Sequence, residues 1–354
     1  MPIIVNENKL RAFVKKVFLS YNLNDTNSNI CTDNLVMADL RGIHSHGVAR
    51  LQRYVKGIDE GLIFPLNKAQ IIKETQNTAN IDGNGGLGQV ISHYSTNIAI
   101  QKAKDTGIGI VTVKNSNHYG IAGYYSNLIL QENMIGISMT NSAPLVVPTF
   151  GRDMMFGTNP ISFAAPGKGK KAFFLDMATS VVPRGKLEGC AVDAKGNVTQ
   201  NPGEVLKNML HRIGGGIMPL GGAGETHSGY KGYGLAVMVE ILSGVLSGGA
   251  YCNLVYAKKD GKIVPPNVCH FFMALKVENF IDFDLFTKNM DDLIDRLKKS
   301  NKAEGQERIY IHGEKEYELY NKHKKEGIPV QEKVYDTLKE IAKKREIEFN
   351  LPTV

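Results

Sequence analysis

From residue 108 to residue 142 the chain reads "IGIVTVKNSN", "AGYYSNLILQENM" and "IGISMTNS", with a short gap between the first two. Apolar residues crowd the first and third stretches and recur at helical spacing in the second, the pattern of strand, helix and strand. That alternation implies a βα unit and confines the chain to an α/β architecture, a sheet covered by helices. Upstream, "VISHYSTNIAIQKAKDTG" predicts a helix stopped by Gly107. Downstream, "NPISFAAPG", "KKAFFLDMATS" and "NVCHFFMALKV" predict further strands. Several strand ends carry Asn, Ser, Thr or Asp, and polar loops at strand ends are where α/β sheets hold ligands.

Helices precede and follow this region. Leu10, Phe13, Val14, Val17 and Phe18 share one helical face, "SNICTDNLVMADLRGI" predicts a second helix, and "VARLQRYVKGIDEG" a third, closed by Gly61. Short alternating strands are expected between residue 65 and the glycine loop at 83. "YGLAVMVEILSGVLSGG" reads as an apolar, buried helix opened by a glycine-rich loop, while "FTKNMDDLIDRLKKS" and "VQEKVYDTLKEIAKKREI" read as amphipathic helices.

The net charge of +7 comes from a lysine excess in the C-terminal third of the 354 residues. There "LKKSNKAEGQERIYIHGEKEYELYNKHKKEG" mixes both signs, which predicts a solvated surface rather than a nucleic-acid groove. Cys31, Cys190, Cys252 and Cys269 show no C-x-x-C spacing, so neither a zinc site nor a disulfide scaffold is expected and reduced thiols in a cytoplasmic protein fit best. No apolar stretch approaches the ~18 residues of a membrane span, and the N-terminus lacks the apolar core of a secretion signal.

Polar residues with catalytic chemistry cluster in four loops. "RGIHSHGVARLQRY" brings His44, Ser45, His46, Arg50 and Tyr54 to a helix junction. Histidines at i, i+2 do not share a helix face, which argues against a two-histidine metal clasp. A guanidinium suits a carboxylate and an imidazole can move a proton near neutrality, but the same residues could equally cap the junction. "NSNHYGIAGYYS" puts Asn115, Ser116, Asn117 and His118 between a strand and a helix. Thr158, Asn159, Asp176, Thr179 and Ser180 stand at strand ends, where they suit phosphate or ribose recognition or simple turns. In "SGYKGYGL", Gly229, Lys231 and Gly232 open a helix whose N-terminus would favour an anion, without the spacing of a Walker loop.

"IDGNGGLGQV" places Gly83, Gly85 and Gly88 at the G-x-G-x-x-G spacing of a dinucleotide loop. The preceding "TQNTAN" is polar, and the next strand ends in Lys114 and Asn115 where an acidic residue is needed. The glycines are therefore read as a strand-to-helix turn that packs the helix tightly and positions the loop carrying His118.

In order along the chain, "RGIHSHGVAR", "NSNHYG", "FGTNPISFAAP", "LDMATS", "SGYKGYGL" and "ERIYIHGE" resemble the motifs of the type 2 malate/L-lactate dehydrogenase family, over nearly the whole length. That family includes malate, sulfolactate and ureidoglycolate dehydrogenases and diketogulonate and piperideine-carboxylate reductases. The resemblance implies a non-Rossmann mixed β-sheet cofactor domain of the L-sulfolactate dehydrogenase-like type, at residues 66–314, with a helical domain made of residues 1–65 and 315–354. It implies a homodimer that uses NAD or NADP to interconvert a small 2-hydroxy acid and its 2-oxo acid. A cyclic imine carboxylate, a ureidoglycolate-type substrate or a catalytically impaired nucleotide-binding paralogue are the alternatives. His118 and His46 then correspond to the proton-transfer histidines, Arg50 to the carboxylate binder, and Ser45, Tyr54, Ser142 and Thr158 to the substrate pocket. Phe173, Phe174, Leu175, Asp176, Thr179, Ser228, Lys231, Gly232, Tyr310, Ile311 and His312 match segments that hold the cofactor, and no metal is implied. Two departures stand out: "GKLEGCAVD" is shorter than the family's segment by about ten residues and has Cys190 in place of Trp, and His312 replaces Pro in the I-Y-x-P-G-E turn.

Overall fold

A computed structural model describes residues 2–168, 172–183, 187–256, 258–259 and 262–351. In chain order the strands are β1 (Ile3–Val5), β2 (Gln70–Glu74), β3 (Thr78–Asp82), β4 (Ile108–Ser116), β5 (Met134–Thr140), β6 (Ile161–Ala165) and β7 (Phe173–Met177), followed by β8 (Ala191–Val192), β9 (Val198–Thr199), β10 (Gly216–Ile217), β11 (Lys258–Lys259), β12 (Lys262–Ile263), β13 (Val268–Lys276) and β14 (Ile328–Val330). The helices are α1 (Glu7–Leu19), α2 (Asp25–Leu40), α3 (Leu51–Asp59), α4 (Gly88–Thr106), α5 (Ala122–Gln131), α6 (Pro202–His211), α7 (Gly229–Val239), α8 (Phe283–Lys299), α9 (Glu314–Glu326) and α10 (Glu332–Lys344).

The main sheet has seven strands in the order β2-β3-β4-β13-β5-β6-β7. Only β3 and β4 run parallel, joined by α4 as a βαβ unit; every other neighbouring pair is antiparallel. This is a mixed sheet and not the Rossmann order. Strand β13 lies between β4 and β5, and side chains pack against both of its faces. Phe272 and Ala274 join the cluster with Ile91, Ala99, Tyr125 and Ile129 under α4 and α5, while Phe271 packs with Met139 and Val239 on the other side. That two-sided burial is why "VCHFFMALK" reads as a near-continuous apolar run.

A second core binds the chain ends. Leu10, Phe13, Val14 and Val17 of α1 pack with Leu35 of α2, Leu51 of α3 and Leu338 and Ile341 of α10, while β1 pairs with β14. Asn6 and Asn24 accept from the N–H groups of Lys9 and Asn27 and so cap α1 and α2, each cap worth ~1 kcal/mol. Gly107 ends α4 in the left-handed conformation (φ 93°), as its position in the sequence leads one to expect.

One expectation needs correction. The apolar stretch from 233 to 249 is not uniformly buried: α7 opens into a π-turn over Glu240–Val245, and Ile241, Val245 and Leu246 are more than half exposed. The mixed-sign segment near residue 320 is largely exposed, in keeping with a solvated surface. It contains α9, with Glu314 and Glu316 in the first turn and His323, Lys324 and Lys325 in the last, which complements the helix dipole. Helix α6 escaped the periodicity reading, although Asn201 capping and Pro202 in the first turn signal its start. Of the shortened segment, 184–186 lie outside the described residues, as do 170 and 171 before β7. From Leu187 the chain turns directly into β8, with Cys190 N bonded to Leu187 O.

Candidate active site

Within the glycine loop the N–H groups of Gly83, Gly85 and Gly86 are engaged by the protein's own carbonyls. Gly83 N donates to Lys114 O and Gly85 N to Asn115 O, while Asn117 Nδ2 donates to the carbonyls of Gly85 (2.9 Å) and Gly86 (2.8 Å). At Gly88 a Cβ would collide with the backbone carbonyls of Asn117 and His118. Only glycine lets α4 start against the loop that carries His118, so the glycines serve that loop.

The opposite wall is set by Asp39 at the end of α2. Its buried carboxylate accepts from Val48 N (2.7 Å) and pairs with His44 Nδ1 (3.0 Å), and Gly47 passes so close that no Cβ would fit. Of the two neighbouring histidines, His44 thus anchors the turn, and His46 is presented on the other side. Burial drives the Asp39 pKa upward even though His44 and Val48 N favour the ionised form.

His46 and His118 come together, their rings near-parallel (19°) with centroids 5.6 Å apart. Gly120 N–H donates to His118 Nδ1 (3.3 Å), so that nitrogen carries a lone pair; the Tyr54 hydroxyl, 2.7 Å away, donates to it as well. The neutral His118 ring therefore holds its proton on Nε2. Tyr54 is fully buried and so does not line the pocket as expected; it reaches the site through His118. Ser45 Oγ bonds His46 Nδ1 (2.9 Å), and Arg50 Nε donates to Ser45 O (2.7 Å).

Burial first, and then the guanidiniums of Arg50 and Arg53, bring the His46 pKa down to about 4; burial, Arg53, the His46 imidazole and Arg50 hold His118 well below its usual value. Both rings are neutral at pH 7. For His46 the sign follows: between about 4 and 6.5 the unfolded chain binds the proton that the folded one refuses. Folding stability attributable to His46 falls as pH drops through that window, by on the order of 3 kcal/mol. Thermal melts of a His46→Gln variant are expected to decline less steeply from pH 6.5 to 4 than those of the unaltered protein; parallel curves would contradict this.

Beside the pair opens a cleft of ≈ 540 Å³, into which Ser45, His46, Thr158, Phe174, Leu175, Asp176, Tyr310, Ile311 and His312 all project or border. Phe174 N donates to His312 O (3.1 Å), tying β7 to the 310–313 turn, and the His312 ring lies 5.4 Å from Phe173. Asp176 accepts from Gly123 N (2.8 Å) at the start of α5, and burial, only partly offset by that bond and Arg41, raises its pKa to about 6. Thr179 is fully buried and donates to the carbonyls of Thr158 and Asn159, holding the cleft wall from behind. Ser142 Oγ packs over Gly157, next to Thr158. Ser228, Lys231 and Gly232 stand apart from these residues, outside the cleft lining. Gly232 presses against the Leu220 backbone and Lys231 is exposed.

Sequence reasoning passed over Arg41 and Arg53. Arg41 lines the cleft with its guanidinium 4.5 Å from the centre of the Phe174 ring, and Arg53 donates to Tyr256 Oη. Arg41 stands at the head of the motif containing His46, but its partners lie more than 80 residues downstream. His270 was also missed. It is fully buried in β13, bonded to Thr140 and Ser116, and stacked on Tyr119. Among the described residues no group of His, Cys, Asp and Glu is arranged to hold a metal, all four cysteines are free, and no helix is long and apolar enough to cross a membrane.

A mixed sheet outside the Rossmann order, with paired imidazoles beside a cleft at its strand ends, defines the class of site. Residues 5–339 match the malate/L-lactate dehydrogenase family, and the chain belongs to it. It is 48% identical to the malate dehydrogenase of Pyrococcus horikoshii, over 97% of this chain and 96% of that protein. It is 36% identical to the malate/(S)-sulfolactate dehydrogenase of Methanothermus fervidus, over 98% and 99%. The solved malate dehydrogenase of Entamoeba histolytica superposes with a TM-score of 0.94 at 35% identity, covering 99% of this chain and 100% of that one.

Proposed function

We propose that the protein is an oxidoreductase interconverting a small 2-hydroxy acid and its 2-oxo acid, with malate and oxaloacetate as the first pair to test and NAD or NADP as cofactor. The observation that carries the reading is the Tyr54–His118 bond of 2.7 Å, which reserves His118 Nε2 for proton exchange. The names of the Pyrococcus and Methanothermus relatives support the substrate class.

The cleft residues fit a nicotinamide cofactor. Phe174 and Tyr310 offer aromatic faces, Asp176 a half-buried acceptor for an amide N–H, and Arg41 and Lys315 positive charge for phosphate oxygens. When bound, the cofactor supplies or takes up the hydride. The chain's own residues do the rest. Arg50 binds the substrate carboxylate, whose charge offsets the positive potential that keeps His118 neutral. His118 can then take a proton from solvent at Nδ1, with the Tyr54 hydroxyl turning to accept it and the long Gly120 N–H contact giving way. Nε2 gives its proton to the substrate's carbonyl oxygen, and the ring returns to neutral with Nδ1–H facing Tyr54. The oxidative direction starts from that Nδ1–H tautomer: Nε2, then carrying the lone pair, takes the hydroxyl proton, and the ring loses its Nδ1 proton to solvent to restore the resting form. Enclosure by Thr158, Ser45 and His46 limits water beside the reacting carbon.

Spectrophotometric assay of the purified protein with NADH and NADPH against a panel of small oxo acids tests the reading; absence of turnover with every pair would refute it. A Tyr54→Phe variant keeps the packing but loses the bond to Nδ1. Its kcat is expected to fall about 10- to 100-fold with little change in KM and an altered pH profile, and unchanged kcat would remove Tyr54 from the mechanism. A cytoplasmic homodimer belongs to the same proposal, as does the division into residues 1–65 with 315–354 and residues 66–314; the exposed apolar residues of the 241–246 segment support the dimer.

A further inference from the structure

Glu240, at the start of the π-turn, is 3% exposed, and among the described residues its partners are amides. Oε1 accepts from Asn159 Nδ2 (2.9 Å); Oε2 accepts from Asn141 Nδ2 (3.2 Å) and Cys252 N (3.1 Å). These donors belong to three separate segments: the residue after β5, the residue two before β6, and the loop beyond the π-turn. A buried carboxylate held only by neutral donors is expensive, and a well-packed apolar residue would often be no worse for stability. Its presence calls for a role other than packing, and π-turns within helices occur frequently at functional sites.

Both tethered asparagines border the candidate site. Asn141 is fixed further, donating to Ala250 O (2.9 Å) and accepting from Cys269 N (2.8 Å); Ser142 follows it. Asn159 adopts a left-handed backbone (φ 36°), and its Oδ1 is buried without a partner. A non-glycine residue holds that conformation only when its surroundings enforce it. Thr158, immediately before it, lines the cleft with Ser45 and His46.

We propose that Glu240 is a positioning residue whose carboxylate ties the 141–142 and 158–159 loops together and so sets where Thr158 stands in the cleft, an inference that rests on the dehydrogenase reading above. Its chemistry distinguishes two replacements. Gln at this position keeps the shape and still accepts from Asn141 and Cys252 through its oxygen, so two of the three tethers persist; Asn159 stays held by its bond to Ala236 O (3.3 Å). Ala leaves all three donors without their carboxylate.

The full-length protein and its Glu240→Ala and Glu240→Gln variants are compared in oxo-acid reduction, thermal unfolding and hydrogen–deuterium exchange. Glu240→Ala is expected to raise the KM for the oxo acid about tenfold or more and leave the cofactor KM within about twofold, whereas Glu240→Gln stays within about threefold of the unaltered protein. Exchange over 141–142 and 156–160 quickens in the Ala variant and not in the Gln variant. Unchanged KM and exchange in Glu240→Ala overturns the proposal, as does an equal loss in both variants that simply follows their melting temperatures. If the unaltered protein reduces no oxo acid, the dehydrogenase reading fails, and the exchange measurement decides the brace by itself. Should Glu240→Ala not fold, Asn159→Gly removes one tether while permitting the left-handed backbone, and the same rise in KM and exchange is expected.

Discussion

Replacing His118 with Asn is expected to lower kcat for oxo-acid reduction by about 10²- to 10⁴-fold, the range of a lost general acid, with cofactor affinity little changed. The expectation follows from two donors converging on one ring nitrogen. Tyr54 and Gly120 occupy Nδ1, so only Nε2 is left to meet substrate. His46 stacks on the same ring and borders the cleft, but its Nδ1 is engaged by Ser45. A His118→Asn variant that keeps more than about a tenth of kcat would transfer the proton role to His46.

Arg50→Ala is expected to raise the KM for the oxo acid by an amount equivalent to about 2–4 kcal/mol, far more than any change for the cofactor. Arg50→Lys should fall between the two, because an ammonium keeps the charge and loses the fork. The Ala variant carries a second signature. Arg50 is one of the cations that depress both imidazoles, so its removal moves the pKa values of His46 and His118 upward, and NMR titration of the ring protons would detect it. Unchanged acid affinity together with unmoved titrations would remove Arg50 from the site.

The local pattern carried most of the elements. Helices α1, α4 and α10 and strands β4, β5 and β13 lie within a few residues of where period and punctuation put them, since each has a strongly apolar face or a glycine stop. Helices α6 and α9 were less legible because their exposed faces dominate the sequence; only their caps and charge order mark them. The apolar 233–249 stretch misled for the opposite reason. Composition signals that a surface is apolar, not whether this chain covers it.

The site was readable as chemistry and not as geometry. Motif order selected His46, His118, Arg50 and the 173–176 and 310–312 segments, and the structure brings most of them to one place. It separates Ser228, Lys231 and Gly232 from that cleft, and it turns Tyr54 and Thr179 inward as supports. Arg41 and Glu240 owe their positions to contacts far along the chain, which no local spacing encodes.

What the sequence determined by itself is therefore the set of local conformations and reactive groups: alternating strands and helices, Gly107 as a stop, the glycine loop as a turn without an acidic partner, and the histidines and arginines of the motifs. Tertiary structure alone decided that β13 enters the middle of the sheet, that His44 anchors while His46 is presented, and that Tyr54 assigns the His118 proton to Nε2. The physical reason is range. Backbone propensity and side-chain chemistry act within a few residues, whereas burial, hydrogen-bond satisfaction and pKa depend on groups that meet only when separate segments, some of them far apart along the chain, pack together.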